Sequence, residues 1–321
     1  MSAAAPPAQS RLRALIRPSF NLQMVYATAV VLIVSILGCR LTSTQVPGAG
    51  STALGLAVTL VALLPVLLYL QEKGKLYLRD SLLALFWALF FTIMLGFPVT
   101  VAARLGMGIG LQDLRFAQWD GWLGVHVPDL AAWAEKHWLG ILANRSYTLL
   151  FPLMQVSIVL PILTGKLKYT QKFLTANLVA FAIGLPVFAL LPGIDPWFGD
   201  HFTSTPDLAM GKSFVLLAIR RPGPYIYQYP AGVICFPSFH VIWAVLCVYA
   251  LWGFRLLRIP VSLFAALIVF STLSTGSHYL CDVLAGFLVV VAAMVIAERL
   301  SGRLERADHG SINVSVSVSS E

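Results

Sequence analysis

Eight apolar stretches divide this chain of 321 residues, at 24–41, 51–70, 81–102, 146–164, 173–191, 233–252, 259–275 and 279–297. About 20 apolar residues carry a helix across ~30 Å of hydrocarbon. Only 11% of the residues are charged, against about 25% in a soluble domain. Lipid explains that deficit better than an unusually large soluble core. The sequence therefore predicts an all-α, polytopic membrane bundle of about eight transmembrane helices.

The charges between the stretches give the bundle a direction. Arg11, Arg13 and Arg17 precede the first stretch; Lys73, Lys75 and Arg79 follow the second; Lys166, Lys168 and Lys172 follow the fourth. Arg255 and Arg258 follow the sixth, and Arg299, Arg303 and Arg306 the last. On the other side basic and acidic residues balance. The basic side is expected to face the cytoplasm, with both termini there, in a plasma (inner) membrane. The formal charge of +8 is dispersed over short loops without a basic patch or stacking side chains, which excludes nucleic acid as a partner. The first apolar stretch reads as a retained anchor rather than a cleaved signal. Cys39, Cys235, Cys247 and Cys281 lack CxxC spacing and read as small buried side chains.

The chain divides into a mobile cytoplasmic leader (1–20), two additional helices (21–80), a catalytic membrane domain (81–298) and a disordered cytoplasmic tail (299–321). Two long segments lie on the non-cytoplasmic side. Leu105 to Arg145 mixes Trp119, Trp122, Trp133 and Trp138 with aspartates, a composition suited to the headgroup zone and to a short interfacial helix. Leu191 to Ala231 is rich in Pro, Gly and Tyr; a loop of this length and aromatic content is expected to be functional.

Two histidines stand at the ends of apolar stretches near the carboxyl end, in Cys235-Phe236-Pro237-Ser238-Phe239-His240 and in Gly276-Ser277-His278-Tyr279-Leu280-Cys281-Asp282. His278 and Asp282 are spaced i,i+4, so that on one helix the carboxylate can hold the imidazole tautomer and leave the other nitrogen as a nucleophile. Ser277 is the expected N-cap, with His278 in the first turn, where orphan N–H groups would attract phosphate. Pro237-Ser238 is expected to cap the other helix, with His240 as general acid and base. Ser238 is a phosphate ligand if capping leaves it free. Lys212, Arg220 and Arg221, the basic residues of the second outer segment, are candidate phosphate ligands. Zinc or iron on the two histidines and Asp282 competes, but the spacing is not that of an HExxH site. No metal and no cofactor is expected.

These motifs resemble the PAP2 superfamily, the type 2 phosphatidic acid phosphatase fold. Its motif Ser-Arg-x5-His-x3-Asp is met by Ser271-Thr272-x5-His278-x3-Asp282, with Thr272 in place of Arg. Pro-Ser-Gly-His appears as Pro237-Ser238-Phe239-His240. Lys-x6-Arg-Pro is approximated by Lys212 and Arg221-Pro222, with a spacing two residues too long. The resemblance implies a six-helix core and a phosphohistidine at His278, oriented by Asp282, with His240 protonating the leaving group. Phe239, Thr272 and Tyr279 are then placed in the substrate pocket. His278-Tyr279-x-x-Asp282-Val283-x-Ala285-Gly286 and Asp120-Gly121-Trp122 are similar to the inositol phosphorylceramide synthase branch. That branch implies a headgroup transferase at the outer leaflet, acting on a membrane lipid phosphate or phospholipid, with a lipid or polyol acceptor. A lipid phosphate or prenyl pyrophosphate phosphatase is the alternative within the family, and a non-catalytic transporter or scaffold is the alternative outside it. The oligomeric state is left open.

Overall fold

The computed structural model describes residues 19–47, 49–199, 214–228 and 232–317. Among these residues the architecture is all-α apart from one two-residue strand pair. In chain order the helices are α1 (Phe20–Leu41), α2 (Ala49–Glu72), α3 (Leu76–Met94), α4 (Gly96–Leu105), α5 (Asp113–Trp122), α6 (Val127–Lys136) and α7 (Trp138–Ser146). They continue with α8 (Leu150–Leu163), α9 (Leu167–Leu190), α10 (Pro196–Gly199), α11 (Phe239–Leu251), α12 (Arg258–Ser274) and α13 (Leu280–Ser317). Most of the leader lies outside the described residues.

Among the described residues, five helical stretches are long and apolar enough to cross a membrane: Phe20–Leu41, Leu76–Gly108, Trp138–Leu163, Leu167–Leu190 and Leu280–Gly302. Two other apolar helices, Phe239–Leu251 and Arg258–Ser274, are shorter, while α2 runs 24 residues from Ala49 to Glu72. Length and composition thus mark five spans among the described residues, and each of the eight predicted stretches overlaps a helix. The outward faces are apolar, with Val30, Ile33 and Leu37 on α1 and Leu284, Leu288 and Val291 on α13 all exposed. Such surfaces suit lipid rather than water.

The bundle is built around α9 and α11. α9 packs on α13, α11, α4 and α8, and α11 also packs on α12, α8 and α13. α2 contacts chiefly α3, and α1 contacts chiefly α4, so the first two helices lie at the periphery. The pair β1 (Thr44–Gln45) and β2 (Tyr225–Ile226) is parallel and joins the α1–α2 link to the second outer segment. Arg104, buried at the end of α4, fastens that junction. Its guanidinium donates to the carbonyls of Thr42 (2.8 Å), Ile219 (2.9 Å), Arg221 (3.4 Å) and Gly223 (2.6 Å).

Three polar contacts define the opposite end. Lys166 Nζ donates to the Gly253 carbonyl at 2.7 Å, joining the start of α9 to the chain just past α11. Lys172 reaches Glu298 on α13 at 2.7 Å, and Tyr249 on α11 donates to the same carboxylate at 2.6 Å. The histidines stand at the other end of the same helices. The last helix also departs from expectation. It continues to Ser317, so the tail expected to be disordered from residue 299 begins as helix. An established helix gains one hydrogen bond for each residue it adds, and the charged run after Glu298 contains good helix formers.

Candidate active site

His240 is set by an ordinary helix start. Ser238 is the N-cap of α11, accepting from Val241 N at 3.5 Å, which puts His240 in the first turn as the sequence predicts. The Ser238 hydroxyl oxygen is therefore engaged in capping. The His240 ring stacks on Tyr147 with centroids 4.2 Å apart and planes 18° from parallel.

His278 is positioned differently from the sequence expectation. α12 ends in a Schellman motif. Gly276 adopts φ +68° and its N–H donates to Leu273 O at 2.9 Å, while Ser277 N donates to Thr272 O at 3.1 Å. His278 N joins the same Thr272 carbonyl at 3.0 Å. α13 begins only at Leu280, so His278 lies before the helix and Ser277 does not cap it. The cap comes from far away in sequence. Asp120 on α5 accepts from Leu280 N and from Cys281 N at 2.6 and 2.8 Å. Asp282 itself accepts from Tyr279 N at 2.9 Å. These three N–H groups are occupied by carboxylates, which removes the phosphate cradle expected there.

The i,i+4 spacing still brings its pair together. His278 Nδ1 lies 3.3 Å from Asp282 Oδ2 and 3.1 Å from the Cys235 carbonyl. A carbonyl can only accept, so Nδ1 carries the proton and Nε2 keeps the lone pair. The Cys235 thiol donates to Asp282 Oδ2 at 2.9 Å. Ser238 N donates to the Asp282 carbonyl at 3.1 Å, linking the two histidine motifs through the backbone. Gly286 permits this approach, because a Cβ there would stand 2.8 Å from Ser238 O. The two histidine rings come within 5.7 Å of each other. His278 and Asp282 are fully buried and His240 nearly so.

Both histidines line a cavity of about 230 Å³ that runs into the bundle between α3, α8, α9 and α11. Its walls include Phe91, Phe151, Phe173, Asn177, Phe181 and Trp243. Phe239 lines it too, with its ring 4.5 Å from that of Phe181. The other residues predicted to touch substrate lie elsewhere. Thr272 is buried and donates to Val269 O at 2.7 Å. The Tyr279 hydroxyl turns away from the cavity, to Asp195 O at 3.1 Å and Asp113 Oδ1 at 3.3 Å. Arg220 donates to the carbonyls of Ile109 (2.6 Å) and Ala103 (3.5 Å), and Arg221 is exposed. Lys212 lies outside the described residues.

Asp113, at the start of α5, belongs to this outer layer. Its Oδ1 accepts from Ile194 N and Asp195 N at 3.0 and 3.1 Å, and its buried Oδ2 meets no donor among the described residues. Burial pushes its carboxyl up to about 6, against the pull of those N–H groups. Burial also lowers Arg220, which the Asp113 charge opposes. Sequence reasoning did not find Tyr147 as the stacking partner of His240. For Asp120, the Asp-Gly-Trp patch was the one available signal.

A family model described as the PAP2 superfamily matches residues 114–296, more than half of the chain and including both histidine motifs. The chain belongs to the PAP2 superfamily. Membership supports a lipid enzyme of the phosphatase or phosphotransferase type, embedded in a membrane through long apolar helices. Neither curated proteins nor solved structures include a match to it.

Proposed function

We propose that this protein transfers a phosphorylated headgroup between membrane lipids through a phosphohistidine at His278. The supporting observation is a proton-bearing Nδ1 held by Asp282 and the Cys235 carbonyl, with the ring centroid 5.7 Å from that of His240 and both histidines lining an apolar cavity. Nε2 of His278 attacks phosphorus and forms the P–N bond while the P–O bond to the departing alcohol breaks. His240 gives that oxygen its proton. His240 then removes a proton from the acceptor hydroxyl, whose oxygen attacks phosphorus and breaks the P–N bond.

Transfer is favoured over hydrolysis by the apolar lining beside the histidines, Phe151, Phe239 and Trp243, which suits a lipid acceptor better than water. An inositol phosphorylceramide synthase-like activity at the outer leaflet is the specific form of this reading. The site end of the bundle faces outward and the Lys166–Gly253 end faces the cytoplasm.

The test supplies labelled phospholipids and prenyl phosphates to the protein, with and without ceramide, diacylglycerol or inositol-containing acceptors. A new phosphorylated lipid that depends on the acceptor is the expected result. Stoichiometric free phosphate, unchanged by any acceptor, makes the protein a lipid phosphatase instead. No turnover of any lipid in the panel favours a transporter or scaffold.

A further inference from the structure

We propose that Cys235, His278 and Asp282 form a binding site for one thiophilic divalent cation, zinc above all, and that its occupancy switches the histidine pair off. The off-switch rests on His278 being the nucleophile; the binding rests on geometry alone. The three side chains offer a sulfur, a nitrogen and an oxygen, all within 4.8 Å of one another. Their separations are 2.9 Å for Sγ–Oδ2, 3.3 Å for Nδ1–Oδ2 and 4.0 Å for Sγ–Nδ1. Tetrahedral zinc, with bonds of about 2.0–2.3 Å, sets its donors ~3.5 Å apart. Shifts of about half an ångström therefore suffice to admit the ion, with water as the fourth ligand.

The sequence alone suggests zinc only on both histidines with Asp282. The structure exchanges His240 for Cys235, since the His240 ring is stacked on Tyr147 and stands outside the cluster. A cysteine 43 residues before His278 becomes a ligand because the Ser238–Asp282 backbone bond brings the two loops together. The supporting shell is present as well. Tyr279 N–H orients the Asp282 carboxylate, and Asp120 holds the backbone of Leu280 and Cys281 beside it. His278 also lines the cavity, so one of the three ligands borders open space.

The chemistry of inhibition follows from the tautomer. Zinc takes a lone pair at Nδ1, so the imidazole proton moves to Nε2, and the thiol releases its proton to solvent. The nitrogen that would attack phosphorus then has no lone pair. The thiolate and the carboxylate together balance the two charges of the ion.

The experiment uses the full chain in detergent, stripped with chelator and titrated with cobalt(II) as a spectroscopic stand-in. One cobalt for each chain is expected, with a thiolate-to-cobalt charge-transfer band that zinc abolishes. Cys235→Ser should lose the band and weaken zinc binding by roughly tenfold or more. Cys247→Ser and Cys281→Ser should keep both, and matched elution on gel filtration shows that the variants are folded. Absence of the band in the unaltered protein, its survival in Cys235→Ser, or its loss in Cys281→Ser overturns the site. Turnover is read separately. Zinc should abolish it over the range in which cobalt is displaced, and undiminished turnover with zinc bound overturns the off-switch. A chain that turns over no lipid but shows the band refutes the enzymatic reading and leaves the metal site standing.

Discussion

Asp282 gathers three donors on a single oxygen: the Cys235 thiol, the Tyr279 N–H and the Nδ1–H of His278. The first two hold the carboxylate still, so that its orientation fixes the histidine tautomer. An Asp282→Asn variant keeps an acceptor oxygen but loses the charge and can present its amide to His278. Such a change is expected to lower kcat by about 10²–10⁴ with little effect on KM, whereas His278→Ala should abolish turnover. Lipid phosphate or headgroup release checks both, and full activity in His278→Ala rejects the assignment. The i,i+4 spacing made this pair legible in the sequence. The directions of Thr272 and Tyr279 were not legible there, because a motif position shows proximity in the chain and not the direction of a side chain. One hydroxyl turns back to its own helix, the other to Asp113 and Asp195.

At the scale of elements, long-range polar bonds hold the outer layer to the bundle. Asp120 caps α13 with two charge-assisted bonds, each worth about 1.5–3 kcal/mol. Asp120→Ala should lower the melting temperature in detergent and reduce kcat as well, because the freed helix start adjoins His278. A variant that melts lower with unchanged kcat would limit the cap to a structural role. Arg104 acts similarly on the other outer segment. Arg104→Met leaves four carbonyls without their donor and should cost about 2–4 kcal/mol. Its first sign should be faster proteolysis within residues 221–228, which β2 and Arg104 pin down. Equal cleavage in the unaltered protein would show that this clasp carries no load.

Across the whole molecule, pH and sidedness are the accessible readouts. Asp113 has a folded value of about 6 against an ordinary 3.8. Between those values the native state binds more protons than the unfolded one, so stability falls as pH rises from about 4 to 6. At ~1.4 kcal/mol for each pH unit the loss comes to about 3 kcal/mol. Asp113→Asn should therefore flatten the melting temperature over that interval, and an unchanged slope would exclude Asp113 as its source. For sidedness, single cysteines placed within 221–224 should react with an impermeant reagent from outside, whereas cysteines near Lys166 and Arg255 should not. Reversed labelling would put the histidines on the cytoplasmic side.

Sequence by itself determined the helical class, the membrane setting and the two histidines with their aspartate. Apolar length, charge placement and i,i+4 spacing are local properties, readable without coordinates. Tertiary structure decided the rest. It put His278 before its helix, assigned the cap to Asp120, stacked Tyr147 on His240 and brought Cys235 against Asp282. Each of these is a contact between segments distant along the chain. Such contacts depend on how helices pack and where a Schellman turn releases the backbone, and no residue pattern within either segment carries that information.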